Sequence, residues 1–117
     1  MTQANVMTLR PPQLLDEPLV TLALGLTIIT RPDDGHISAY CPELDIIAIA
    51  KTEGKALADL SDMIAGYAEV YARDWEKRYR FSRFASHRPF IQTVRACRTT
   101  KEVRALFNLV REKAELA

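Results

Sequence analysis

The chain has 117 residues, enough for one modest hydrophobic core, and its 48% hydrophobic and 26% charged residues are the balance of an ordinary globular domain. No apolar run reaches the roughly 18 residues a membrane-spanning helix needs, and the N-terminus lacks a basic region followed by an apolar segment, so the cytoplasm is the expected compartment. The net charge of +1 hides an asymmetry: residues 1–70 carry four basic side chains against ten acidic ones, and residues 71–117 twelve against five, which points to an acidic half and a basic half with different partners.

Residues 1–18, with Pro11, Pro12 and Pro18 and little periodicity, read as an extended or disordered lead-in. Val20, Leu22, Leu24, Leu26 and Ile28 alternate with Thr21, Ala23, Gly25, Thr27 and Ile29, which predicts a strand over Val20–Ile29 with one face on the core. Asp33-Asp34-Gly35 is hairpin chemistry, because Gly35 tolerates positive φ and both Asp side chains can bond their own backbone. A short strand from His36 to Cys41 follows and is stopped by Pro42, which has no N–H for a ladder. Asp45 to Ala50 is β-branched and apolar on both faces, as a third strand would be if buried on one side and partly covered on the other.

Thr52 offers an oxygen to free helical N–H groups, and Glu53 supplies charge of the sign a helix N-terminus favours. Leu57, Leu60, Ile64, Tyr67, Ala68, Tyr71 and Trp75 then recur at spacings of three and four, so one stripe faces the sheet while Asp59, Asp62, Glu69 and Arg73 face water. The stretch from Lys77 to Pro89 holds five Lys or Arg and no acid. It is compatible with two more helical turns ending near Ser86 or with a fourth, edge strand, and the absence of a breaker between Ala72 and Ala85 favours the helix. Arg78, Tyr79, Arg80, Phe81, Arg83 and Arg88 are the candidate nucleic-acid surface, guanidinium groups for phosphates and rings for bases. A packed amphipathic segment with solvated arginines explains the same alternation and is the commoner case.

Ser86 is the expected N-cap of a helix with Pro89 in its first turn and Phe90, Ile91, Val94 and Cys97 on its apolar side. Thr99 and Glu102 have capping-box spacing and open a final helix carrying Val103, Leu106, Phe107, Val110 and Ala114. A helix-turn-helix would aim Lys101, Arg104 and Arg111 at DNA, but the turn has no Gly, and packing onto the domain or a second copy is the preferred expectation. The fold class that results is α+β: a three-stranded antiparallel meander, with room for a fourth edge strand, against one long helix and followed by two C-terminal helices. Its segments are the lead-in 1–18, a ββ-β-α domain over 19–76 and a basic helical extension over 77–117.

No catalytic or metal constellation is expected, and no cofactor. Cys41 and Cys97 lack metal-ligand spacing and read as small interior residues. His36 and His87 have no evident nucleophile or orienting acid, and four scattered Gly build no phosphate loop. A metal-dependent nuclease needs carboxylates converging on paired ions. The first strand has none, which leaves Asp33, Asp34, Asp59 and Asp62 on a turn and a helix and makes that activity a minor alternative.

The succession of a strand, Asp33-Asp34-Gly35, a strand ending in Cys41-Pro42-Glu43-Leu44, a third strand, and Thr52-Glu53 followed by Ala56-Leu57 resembles the HicB-like antitoxin domain, a truncated ribonuclease-H-type fold, over about residues 20–71. The chain departs from that pattern at Ala50, where the family usually has Gly, and at Gly54 and Lys55, where an acidic pair is common. The resemblance implies a prokaryotic antitoxin that masks a small, basic, messenger-RNA-cleaving toxin and regulates its own promoter through DNA binding. It also implies self-association, for which the apolar stripes of the last two helices offer a surface. By charge and position, Asp33, Asp34, Glu43 and Asp45 are the candidate partner-binding residues. The competing class is a stand-alone interaction or scaffold protein that uses its basic C-terminal half to hold DNA, RNA or an acidic partner.

Overall fold

The computed structural model of the protein describes residues 25–113. The lead-in, the 20–24 half of the predicted first strand and Ala114 lie outside the described residues. The elements run β1 (Leu26–Asp33), β2 (His36–Cys41), β3 (Ile46–Ala50), α1 (Glu53–Arg73), a π-helical turn (Trp75–Tyr79), a 3-10 turn (Arg83–His87), α2 (Arg88–Arg95), α3 (Thr100–Arg104) and β4 (Phe107–Arg111). They form a mixed α+β fold with one four-stranded sheet in the order β3-β2-β1-β4, in which β4 alone is parallel to its neighbour.

The meander follows from local chemistry. Asp33 pairs with His36 across a two-residue loop whose Asp34 and Gly35 both have positive φ, 53° and 80°, the backbone that matches strand twist in a tight hairpin. Along β1, Leu26, Ile28 and Thr30 are buried while Thr27 and Ile29 are not, so the alternation read in the sequence is the real one. The strand runs on to Asp33 rather than stopping at Ile29.

Thr52 caps α1, its hydroxyl oxygen accepting from the Lys55 N–H at 3.1 Å. The buried stripe is Ala56, Leu57, Leu60, Ile64, Ala68 and Tyr71, and it meets Leu26, Ile28, Ala39, Cys41 and Ala48 of the sheet. Small residues on both sides let the helix lie close to the strands. Ile91, Val94 and Val103 of α2 and α3 complete the same core, so the centres of the stripes expected to serve a second copy are used within this chain, while Val110 stays half exposed.

Three expectations change beyond α1. The helix does not continue to Ser86: it ends at Arg73, passes through one π turn in which the Arg80 N–H donates to the Trp75 carbonyl at 2.9 Å, and restarts as a 3-10 turn capped by Ser82. His87, not Ser86, is the residue before α2, and the Ser86 hydroxyl instead donates to the Arg83 carbonyl. The predicted last helix is a single turn. Its capping box is present, with Thr99 accepting from the Glu102 N–H at 3.1 Å, but Phe107 to Arg111 form a strand, not helix.

The open edge of β1 is the reason. β2 occupies one side of β1 only, and five residues rich in β-forming types zip onto the other, Leu26 opposite Phe107 and Thr30 opposite Arg111. The fourth edge strand therefore lies at 107–111 and not within 77–88. Glu53, at the first turn of α1, ties this strand down: its carboxylate accepts from Arg111 Nε at 2.8 Å and Nη2 at 3.1 Å and from the Thr30 hydroxyl at 3.1 Å.

Arg111, through those hydrogen bonds, holds the Glu53 carboxyl below its ordinary range. The folded chain thus releases that proton more readily than the unfolded chain, and the latch contributes above the ordinary carboxyl range and fades as pH falls through the lower folded-state value. Glu53→Gln and Arg111→Gln should each lower the urea midpoint at neutral pH, the double variant should lose no more than either single one, and the deficit should shrink on acidification; additive losses at all pH values would show that the two groups act separately.

Candidate functional site

The acidic candidates occupy the two ends of β2. Asp33 and Asp34 stand exposed at the hairpin tip, and neither carboxylate makes an ion pair among the described residues. Glu43 and Asp45 lie at the β2–β3 corner, about 20 Å away at the rise of a six-residue strand. These two carry structural duties. Beyond Cys41 the chain turns off the ladder, and Glu43 Oε1 takes over by accepting the Thr27 N–H at 3.0 Å, a bond that continues the edge where β2 has ended. Asp45, at φ 56°, accepts from the Tyr40 hydroxyl at 2.9 Å. Leu44 between them is 2% exposed and plugs the core, so the Pro42-Glu43-Leu44 corner is held by a carboxylate on one side and an apolar side chain on the other.

The basic candidates are split by packing. Tyr79 belongs to an interior aromatic tier: its ring stacks on Tyr71 with centroids 4.6 Å apart and meets Tyr67 edge-on at 6.2 Å. Tyr71 is buried and its hydroxyl donates to the Phe84 carbonyl at 2.7 Å, which fastens the π and 3-10 turns to α1. Phe81 does the opposite and is 86% exposed at the turn between them. Arg78 reaches Asp74 at 3.8 Å and Arg80 reaches Glu76 at 2.6 Å. Arg83 lies over Phe84 and Arg88 over Trp75, 4.3 Å from its ring centre, and neither of these two makes an ion pair among the described residues. The structure thus leaves Arg83, Arg88 and Phe81 facing solvent and withdraws Tyr79.

The sheet face turned away from α1 is the feature the sequence reading missed. Val110, Ile29, Tyr40 and Ile47 are in register across all four strands, and Ile49 sits one row further along. Ile47, Ile49 and Val110 are about half exposed. The apolar run from Ile46 to Ala50 carried this signal, since only one side of it can be under the helix.

A family model described as PHD_like, antitoxin of toxin-antitoxin, RelE/RelB, TA system, matches residues 2–109. The chain belongs to this antitoxin family. The antitoxin is accordingly a non-enzymatic regulatory protein. Its fold is similar to the crystal structure of an antitoxin part of a toxin/antitoxin system from Syntrophomonas wolfei subsp. wolfei, with a TM-score of 0.71 and 17% identity over 89% of this chain and 80% of that one. No curated protein matches the chain.

Titratable groups in the antitoxin's interior serve packing. No three His, Cys, Asp or Glu side chains are grouped to hold a metal ion among the described residues, and no described helix is long and apolar enough to cross a membrane. Burial pushes the Cys41 thiol up to about 12, which keeps it protonated and unreactive, and burial also raises Cys97. A cleft of about 450 Å³ between the β2–β3 corner and the 3-10 turn is lined by Tyr67, Tyr79, Phe84 and His87, with Asp45 and Arg78 among its polar groups. Burial raises the Tyr67 hydroxyl to about 12 and lowers His87, so the Tyr67 hydroxyl shares a 2.7 Å hydrogen bond with Nδ1 of a neutral imidazole.

Because the folded chain resists protonating His87 while the unfolded chain does not, stability should decline as pH drops through the ordinary histidine range near 6.5. The nearby charge of Asp45 offsets part of this without reversing it. His87→Gln should flatten the slope of the urea midpoint between pH 7.5 and 5.5; an unchanged slope would assign the pH dependence to other groups.

Proposed function

We propose that this antitoxin masks a small, basic, messenger-RNA-cleaving toxin in the cytoplasm and regulates its own promoter through the basic 77–88 segment, in the manner of the HicB-like domain that residues 20–71 resemble. The observation that carries the reading, given the family, is the separation of charge. Asp33 and Asp34 project free at one end of the sheet, while Arg83, Arg88 and Phe81 project from the helical extension. An acidic tip accelerates encounter with a basic protein, and cations beside an exposed ring suit a phosphate backbone and its bases.

The short helix pair α2–α3 does not compete for the DNA-binding role. α3 is one turn long, Val103 is in the core, and Arg111, once a candidate DNA contact, is engaged by Glu53.

Two measurements test the two halves. Asp33→Lys combined with Asp34→Asn, the second chosen because φ 53° is tolerated by Asn, should slow association with the toxin about 10-fold at low salt and leave the melting temperature unchanged. An unaltered association rate would remove the tip from the interface. Arg83→Gln with Arg88→Gln should reduce the slope of log K against log salt by about 2 on a duplex of the chain's own promoter. The same slope in both proteins would leave these arginines as plain surface.

A further inference from the structure

Among the described residues the face of the sheet opposite α1 adds nothing to the core, yet it is built like the middle of an interface. Val110, Ile29, Tyr40 and Ile47 form an apolar row perpendicular to the strands, one side chain from each. Ile47 is 48% exposed, Ile49 53% and Val110 48%. β-branched residues of this size normally lie inside, and isolated exposed ones are unremarkable, but a row in register across a whole sheet is a contiguous patch. A groove of about 510 Å³ runs along it, between Ile29, Tyr40 and Ile47 and the charged Arg31, Asp33 and Glu112.

The border of the patch says what fits it. Asp33 and Asp34 stand at the tip of the β1–β2 hairpin, Glu112 at the end of β4 and Asp45 at the β2–β3 corner, with Arg31 and Lys51 the basic groups nearby. Four carboxylates around an apolar centre repel a phosphate backbone. In a two-fold pairing of like faces the same patch meets itself, so a border of four acids against two bases carries a net repulsion that a basic partner does not. A basic protein surface with an apolar centre meets both requirements, an apolar middle inside a charged rim.

We propose that the outer sheet face, centred on Ile29, Tyr40, Ile47, Ile49 and Val110, is the docking surface for the basic toxin. This rests on the toxin-masking reading above and adds the location of the contact. The aromatic and aliphatic row excludes water at the centre, and the acids at both ends of β2 steer and orient the partner. Glu43 takes no part, because its carboxylate is committed to the Thr27 N–H.

The test uses the full chain and the purified small basic protein encoded beside it, with dissociation constants from titration calorimetry. Ile47→Asp combined with Ile49→Asp should weaken binding at least 100-fold. Met63→Asp, an apolar residue exposed to the same degree (44%) on α1, should stay within about 3-fold of the parent. Ile49→Ser with Val110→Ser serves as the milder pair if circular dichroism shows the aspartates unfolded, with at least a 10-fold loss expected. Parent-like affinity in a folded face variant overturns the location and leaves the antitoxin reading standing. Absence of binding by the parent chain defeats the reading itself. A parent dimer in sedimentation that the face variants convert to monomer, with toxin binding retained, assigns the face to a second copy and overturns the proposal.

Discussion

One amphipathic helix covers one face of a four-stranded sheet, and this single contact organises the molecule. α1 buries Leu57, Leu60, Ile64 and Ala68 against Leu26, Ile28, Ala39 and Ala48, and small side chains at Ala39, Ala48, Ala56 and Ala68 set a close approach. Each fully buried aliphatic side chain contributes on the order of 2 kcal/mol relative to exposure, so most of the driving force lies along this seam. Everything C-terminal to α1 is then arranged by what the seam leaves uncovered. α2 and α3 supply Ile91, Val94 and Val103 to its flank, and the chain returns to fill the open edge of β1.

The far end of α1 shows how polar and aromatic groups finish what aliphatic packing begins. Tyr67, Tyr71, Trp75 and Tyr79 come from successive turns and collect Phe84 and His87 from the following segment into one tier. Hydroxyls of the first two tyrosines bond His87 and the Phe84 carbonyl, so the π turn and the 3-10 turn are pinned although neither is regular α-helix. At the near end, Glu53 joins the helix to β1 and β4. One helix is therefore fastened at both ends, to the turns that follow it by hydrogen-bonded rings and to the sheet by a carboxylate.

Much of this was legible in the sequence because short-range periodicity carried it. The alternation at Leu26, Ile28 and Thr30, the Asp34-Gly35 turn, the Pro42 stop, the Thr52 cap and the Leu57-to-Tyr71 stripe each record a local rule that tertiary structure respected. The fourth strand was not legible. Val103, Leu106, Phe107 and Val110 fit a helical stripe as well as Phe107 to Arg111 fit a strand, and the deciding fact is the vacant edge of β1, roughly 80 residues earlier in the chain. The same distance hid the roles of Glu53 and Arg111, which look like a helix-opening acid and a spare cation. Glu43 was picked for its charge, and only the end of the β2 ladder reveals that this charge is spent on Thr27. Arg and aromatic residues alternate from Arg78 to Phe81 and again at Arg83-Phe84, so nothing local separates Tyr79, which is packed, from Phe81, which is bare.

The parallel pairing of β1 with β4 also fixes an order of events during synthesis. Leu26 leaves the ribosome roughly 80 residues before its partner Phe107, which at about 5–20 residues per second is a delay of several seconds. For that interval the nascent meander has an unpaired edge, which α1, lying on the face of the sheet, leaves open to pairing with other nascent chains.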